Sequence, residues 1–402
     1  MSRTGRAVAK RPSPRHEASH SVPEYYIGLM SGTSMDAVDA ALVDFERGPR
    51  LIATHRRPLP EDLRRDLRAL AEGGIAHELE GYGRLDTVLG ELFAAAALGV
   101  IEASGVAGAR IRAIGSHGQT VRHRPDGPHP FSLQIADPNI IAERTGVTTV
   151  ADFRRRDLAA GGQGAPLVPA FHELVFRDPG EDRVVLNIGG IANVTCLPGA
   201  RDARVIGFDT GPGNVLMDAW CARHLGRPYD RDGAWAAQGT VIEPLLEAWL
   251  EDPFFSRPPP KSTGREHFHL TWLEQGLAAA GAENAAPADV QGTLCELTAA
   301  SVARAVRAYA PGTRRLLVCG GGAANTNLME RLRRRMPGCT VESTAVHGLD
   351  PQWVEATAFA WLARRTLAGT PGNLPAVTGA RRPVILGAIY PASEDAAATT
   401  SP

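Results

Sequence analysis

Lysine is almost missing from this 402-residue chain. Only Lys10 and Lys261 occur among 43 lysines and arginines, so arginine carries nearly all the positive charge. Genome composition is the simplest cause of that bias. Charge of one sign is missing as well: 44 Asp and Glu bring the net charge to -1. The balance gives no general attraction to nucleic acid or to an acidic membrane. Hydrophobic runs such as 92–100 stop well short of the ~20 residues that span a bilayer. Cysteines are sparse, odd in number and without a C-x-x-C: Cys196, Cys221, Cys295, Cys319 and Cys339. That argues against a disulfide framework or a zinc cage and fits a reducing cytosol. What remains, 44% hydrophobic and 22% charged residues, is a soluble globular composition. At about 100–200 residues per domain the length suggests two domains.

Residues 1–23 carry several arginines and no apolar run, so they read as a disordered basic extension, not a secretory signal. Residues 393–402 read as a loose tail. Between them, strand-like runs alternate with helix-period segments, an α/β pattern. Strands are expected at 25–30, 40–45 and 51–55, helices at 60–72 and 77–104, and a strand at 111–115. The pattern restarts near residue 183, with strands at 184–188, 192–197 and 204–208. Helices then follow near 214–225, 240–250, 270–279 and 290–309, with a strand at 315–319 and helices at 326–336 and 351–367. Asp350 reads as the N-cap of the last helix, with Pro351 at its first position. Each half opens with a strand, a Gly-containing turn and two more strands. Two facing lobes, 24–182 and 183–380, with 381–392 returning to the core, would leave a ligand cleft between them.

No P-loop is present, since Lys261 follows prolines instead of glycine. Gly320-Gly321-Gly322 lacks the third glycine of a dinucleotide fingerprint, with Asn325 in its place. There are instead five separate Gly-rich turns: Gly28–Asp36, Gly161–Gly164, Gly189–Asn193, Gly207–Asn214 and Gly320–Asn325. Each alone is an ordinary turn; five together favour phosphate handling by backbone N–H groups. Asp209, at a strand end before a helix, is either a general base or a turn aspartate bonding its own backbone. Asp36 and Asp39 suit Mg²⁺ held through water, or an ordinary turn and strand. In Asp152-Phe153-Arg154-Arg155-Arg156-Asp157, one arginine is placed to clamp a carboxylate or phosphate. Glu355 sits in the first turn of its helix, where the dipole alone accommodates it. His117 falls in an expected loop, Gly115–Thr120, and no metal-ligand set or Ser-His-Asp arrangement is legible.

These stretches, together with Asn187–Asn193, Gly207–Trp220 and Pro260–Glu266, resemble the anhydro-N-acetylmuramic acid kinase family from about residue 25 to 392. The resemblance implies a two-lobed actin/hexokinase/Hsp70-like (ribonuclease H-like) duplicated fold. It also implies a cytoplasmic homodimer that uses ATP, Mg²⁺ and water to turn 1,6-anhydro-N-acetylmuramic acid into N-acetylmuramic acid 6-phosphate in cell-wall recycling. By the same resemblance Asp209 is the catalytic base, and the ATP loop is Gly32, Thr33, Ser34, Met35, Asp36, Ala37, Val38 and Asp39. Gly189, Gly190, Gly320, Gly321, Gly322 and Asn325 are implied on the nucleotide side. Thr120, Glu355 and one of Arg154, Arg155 or Arg156 are implied at the sugar, and no protein-held metal is implied. One departure stands out: Ala37 replaces a usual glycine and would strain the loop if that position needed a positive φ. Two other readings share this fold, a nucleotide-binding ATPase scaffold and a kinase for a different sugar.

Overall fold

A computed structural model describes residues 23–32 and 34–393. The basic extension up to residue 22, Thr33 and the tail from 394 lie outside the described residues. Among the described residues, seven strands lie in the first half: β1 (Tyr25–Met30), β2 (Ala37–Asp44), β3 (Arg50–Pro58), β4 (Ile111–Ser116), β5 (Gln119–Arg124), β6 (Phe131–Ile135) and β7 (Thr149–Ala151). Six follow: β8 (Arg183–Ile188), β9 (Ile191–Leu197), β10 (Ile206–Pro212), β11 (Arg315–Cys319), β12 (Thr340–Ser343) and β13 (Ala388–Tyr390).

The two main sheets repeat one plan. The first runs β13-β7-β4-β1-β2-β3 and the second β10-β9-β8-β11-β12. In each, three strands form an antiparallel meander, and the next strand lies parallel against the first of the three. The central strand β8 buries Val184, Leu186 and Ile188 on one face and Val185 on the other, as a strand sandwiched by helices must. β3, at the edge of its sheet, carries exposed arginines instead.

The helix Val354–Leu367 packs on β1, β2 and β4 of the first sheet. Its Phe359, Trp361 and Leu362 share one apolar cluster with Val185, Leu197 and Leu317 of the second sheet. Its alanines let strands approach closely. A Cβ on Gly28 would stand 1.7 Å from the Ala356 carbonyl oxygen, and one on Gly115 2.0 Å from that of Phe359. The helix Glu78–Ser104 is long and apolar enough to cross a membrane by length and composition. Here Leu85, Leu89, Phe93 and Ala97 instead face the first sheet's outer core.

Several expectations need correction. The loop expected over Gly115–Thr120 shrinks to His117 and Gly118: Gly115 and Ser116 end β4, and Gln119 and Thr120 open the β5–β6 hairpin. The last long helix begins at Val354, not Pro351, because Asp350 Oδ1 accepts the Gln352 N–H (2.9 Å) in a preceding turn. β10 extends to Pro212, so Asp209 lies within a strand and not at its end.

Candidate active site

Asp209 sits where β10 breaks register with β9: it pairs with Asn193, and Gly211 with Ala192, leaving Thr210 as the extra residue. Such a bulge re-aims a side chain. A row of residues crosses the strands from there, Asp209 opposite Asn193 and Asn193 opposite Asn187. At about 4.8 Å per strand, Asn187 stands roughly 10 Å from Asp209. Asp209 Oδ2 accepts the Thr263 N–H at 2.9 Å, and its own N–H donates to the Lys261 carbonyl at 3.1 Å. Burial pushes its pKa up to about 7; Glu266 adds to the rise, while the Thr263 N–H and Lys261 oppose it. The carboxyl is partly accessible yet poorly solvated, and a group poised near neutrality suits proton transfer.

At the other end of the row, Asn187 hydrogen-bonds Glu355, whose pKa is raised by burial against the pull of Arg154. Arg154 turns inward. Its Nη1 donates to the Gly164 carbonyl at 2.9 Å, and its Nε and Nη2 reach His117 Nε2 at 3.2 and 2.8 Å. His117 is buried, its pKa pushed down to about 3 by desolvation and then by Arg154. The neutral ring therefore carries its proton on Nδ1, 2.8 Å from the Gly118 carbonyl, and accepts at Nε2. Arg155 and Arg156 are exposed, Arg155 in an ion pair with Asp152 at 2.7 Å. Of the three arginines only Arg154 joins the cluster. Thr120 lies beside it on β5, its Oγ1 accepting from Gln134 at 3.0 Å.

The first Gly turn is open at Gly32, where a Cβ would meet nothing. Ser34 is half-buried, and Met35 and Val38 point into the core of the first lobe. Ala37 is unstrained: it begins β2 opposite Pro58, and the positive φ of 57° falls on Met35 instead. Gln119 ties this turn to the hairpin, accepting from Ser31 Oγ at 2.7 Å and donating to the Gly32 carbonyl at 3.3 Å. Asp36 is exposed, 3.3 Å from Arg64. Across from it, Asp218 has its pKa pushed up to about 7 by burial and then by Asp36, with Arg265 opposing. Asp39 Oδ1 is buried without a hydrogen-bond partner, and Arg56 stands off at 3.6 Å.

The remaining turns divide. The Gly161–Gly164 turn is filled: Asp157 Oδ2 accepts from the Gly164 N–H at 2.8 Å and would lie 2.2 Å from a Cβ on Gly162. It is a packed turn and not a phosphate cradle. Gly189 and Gly190 clamp the start of the next helix, their carbonyls accepting from the N–H groups of Gly213, Asn214 and Val215. Gly320 (φ 79°) and Gly322 are required by closeness to Asn187 and Ile188, while Gly321 faces open space. Asn325 caps the helix Thr326–Arg335 through its Oδ1 and the Leu328 N–H (2.9 Å). Sequence reasoning passed over His117 and Asn187 as site residues. The only signal for them was membership of the Gly115–Thr120 and Asn187–Asn193 stretches.

Two sheets of this repeated order, facing across carboxylates and open glycine turns, define a two-lobed protein of the actin, hexokinase and Hsp70 class. A family model described as anhydro-N-acetylmuramic acid kinase matches residues 24–392, and the chain belongs to that family of kinases. It is 56% identical over 378 residues to the anhydro-N-acetylmuramic acid kinase of Xanthomonas campestris pv. campestris, covering 93% of this chain and 99% of that one. The Coxiella burnetii protein of the same name is 54% identical over 367 residues, covering 91% and 97%. Among solved structures, component A of the (R)-2-hydroxyglutaryl-CoA dehydratase of Acidaminococcus fermentans superposes with a TM-score of 0.46 at 12% identity. That match covers 86% of this chain and 99% of the other.

Proposed function

We propose that the cleft binds ATP and 1,6-anhydro-N-acetylmuramic acid and makes N-acetylmuramic acid 6-phosphate and ADP, a step in recycling cell-wall fragments. The observation that carries this reading is Asp209, a poorly solvated carboxylate with a pKa near 7, fixed by the Thr263 N–H. Asp209 takes a proton from water as the water oxygen bonds to the anomeric carbon and the bond from that carbon to O6 breaks. Base attack opposite the leaving oxygen is the geometry of an inverting hydrolysis. The freed O6 attacks the γ-phosphorus and the bond to ADP breaks, a step that needs mainly positioning and charge stabilisation.

Arg154, aimed by His117, pairs with the lactyl carboxylate of the sugar, and Thr120 and Glu355 bond its polar groups. Gly32–Asp39, Gly189-Gly190 and Gly320–Asn325 border the nucleotide. Among the described residues no three acidic, His or Cys side chains could together hold a metal. Mg²⁺ commonly uses one or two carboxylates plus phosphates, and Asp39 Oδ1, which has no hydrogen-bond partner and only a loose ion pair to Arg56, suits that role, with Mg²⁺ neutralising phosphate charge when bound. The same reading makes the protein a cytoplasmic homodimer whose lobes, 24–182 and 183–380, enclose the substrates.

Mass spectrometry of the sugar after incubation with Mg²⁺-ATP tests it. A gain of both water and a phosphoryl group, only with ATP, is expected. A phosphoryl gain alone would mean an ordinary sugar kinase. ADP release with unchanged sugar would favour the ATPase scaffold.

A further inference from the structure

Lys261 is the only lysine among the described residues. It is 5% exposed. Its Nζ donates to the carbonyls of Phe254 and Phe255 at 3.0 and 3.4 Å, at the end of the short helix Pro253–Ser256. The Phe254 and Phe208 ring centroids lie 4.5 and 5.9 Å away. A compact ammonium on a flexible stem meets two carbonyls and two ring faces at once. That gives a buried cation here a structural reason.

The backbone of the same residue reaches Asp209. The Lys261 carbonyl accepts the Asp209 N–H, and two residues on, the Thr263 N–H donates to the Asp209 carboxylate. The anchored side chain and the two main-chain bonds belong to one short turn. We propose that Lys261 is a positioning residue for Asp209, its ammonium pinning the turn whose main-chain groups hold that strand and carboxylate. This rests on Asp209 being the base. The charges facing Asp209 are Lys261, which favours its ionised form, and Glu266, which opposes it. Those facing Lys261 are Arg257, Arg304 and Asp209. The lysine therefore also tunes the carboxylate it positions.

The test compares Lys261→Gln, which keeps a donor but drops the charge, with Lys261→Met, which drops both. Lys261→Arg and Asp209→Asn serve as references. For each, kcat, both KM values and the pH profile of kcat are measured, with a thermal melt to verify folding. The expected result is a loss of about tenfold in kcat for Gln and more for Met, within the range general-base catalysis supplies. Both KM values stay near wild type, and the acid limb moves to higher pH. Lys261→Arg returns the limb towards its original position. An unmoved limb with wild-type kcat in both neutral variants overturns the proposal, as does a loss confined to KM. Should Lys261→Met unfold, the Gln variant decides alone. If Asp209→Asn stays active, the base reading and this proposal fall together. If it is inactive while the lysine variants behave as wild type, only this proposal falls.

Discussion

Asp209 shows how a residue's surroundings settle its chemistry. A turn aspartate in water titrates near 3.9, whereas burial between β10 and the 260–266 turn pushes this one up to about 7. On the proposed mechanism turnover needs its ionised form, so kcat should rise with pH through about 7 and level above it. Stability runs the other way. The folded pKa exceeds the unfolded one, so the folded chain holds the extra proton between about pH 4 and 7 and loses stability as pH rises through that window. Asp209→Asn should therefore abolish turnover, keep ATP binding, and melt several degrees higher than wild type at pH 8. A calorimetric scan showing it less stable there would contradict the buried-carboxylate account. Arg154 makes the parallel point. The two residues after it are also arginines, and only backbone direction after β7 sends Arg154 inward to His117 and the others to solvent.

At the scale of elements, the helix Val354–Leu367 decides most. Its small residues admit β1 and β4 so closely that Gly28 and Gly115 have no room for a side chain. The same closeness presents Glu355, in its first turn, to Asn187 of the opposite sheet. Gly115→Ala would force strand and helix apart, and overpacking of this kind costs about 1–3 kcal/mol, more where backbone is struck. Chemical denaturation should show a stability loss of at least that order. Because His117 follows β4 by one residue, the same variant should also raise the KM for sugar more than that for ATP. Equal stability to wild type would mean that the helix yields easily. The buried Asp157 is the other organising device. It accepts from Gly164 N–H, Asn373 Nδ2 and Thr378 Oγ1, so a residue read as flanking an arginine run is a structural tie to the C-terminal segment.

For the whole molecule, the two sheets share the apolar cluster around Phe359 and Trp361. Lobes joined through one core lose it together, so a single unfolding transition is expected by calorimetry despite the duplicated architecture. Two separate transitions would refute that coupling. The buried histidines sharpen the expectation. His117 and His172, with pKa values pushed down to about 3 by burial, bind fewer protons folded than unfolded. Their contribution is thus fully present above about pH 6.5 and falls as the pH drops from there towards 3, against the opposite slope from Asp209. Comparison with a His172→Gln variant isolates it: a difference in melting midpoint from wild type that does not change with pH across that range would show that this ring is solvated.

Much of this was written in the chain. Period and punctuation alone placed β1, β11 and the helix Leu270–Ala279 at their observed bounds, since alternation and capping are local properties. The restart near residue 183 carried the duplication, and the long motifs carried the family. The short strands β12 and β13 were not legible, because three or four residues hold no period and exist only through their neighbours. Nor was the choice among Arg154, Arg155 and Arg156, or the filling of the Gly161–Gly164 turn by Asp157. The nearly neutral Asp209 carboxyl and the pinning of its turn by Lys261 were also invisible. Local sequence determines what an element is; desolvation and hydrogen bonding between groups 54 residues apart, as with Asp209 and Thr263, arise only when the chain folds.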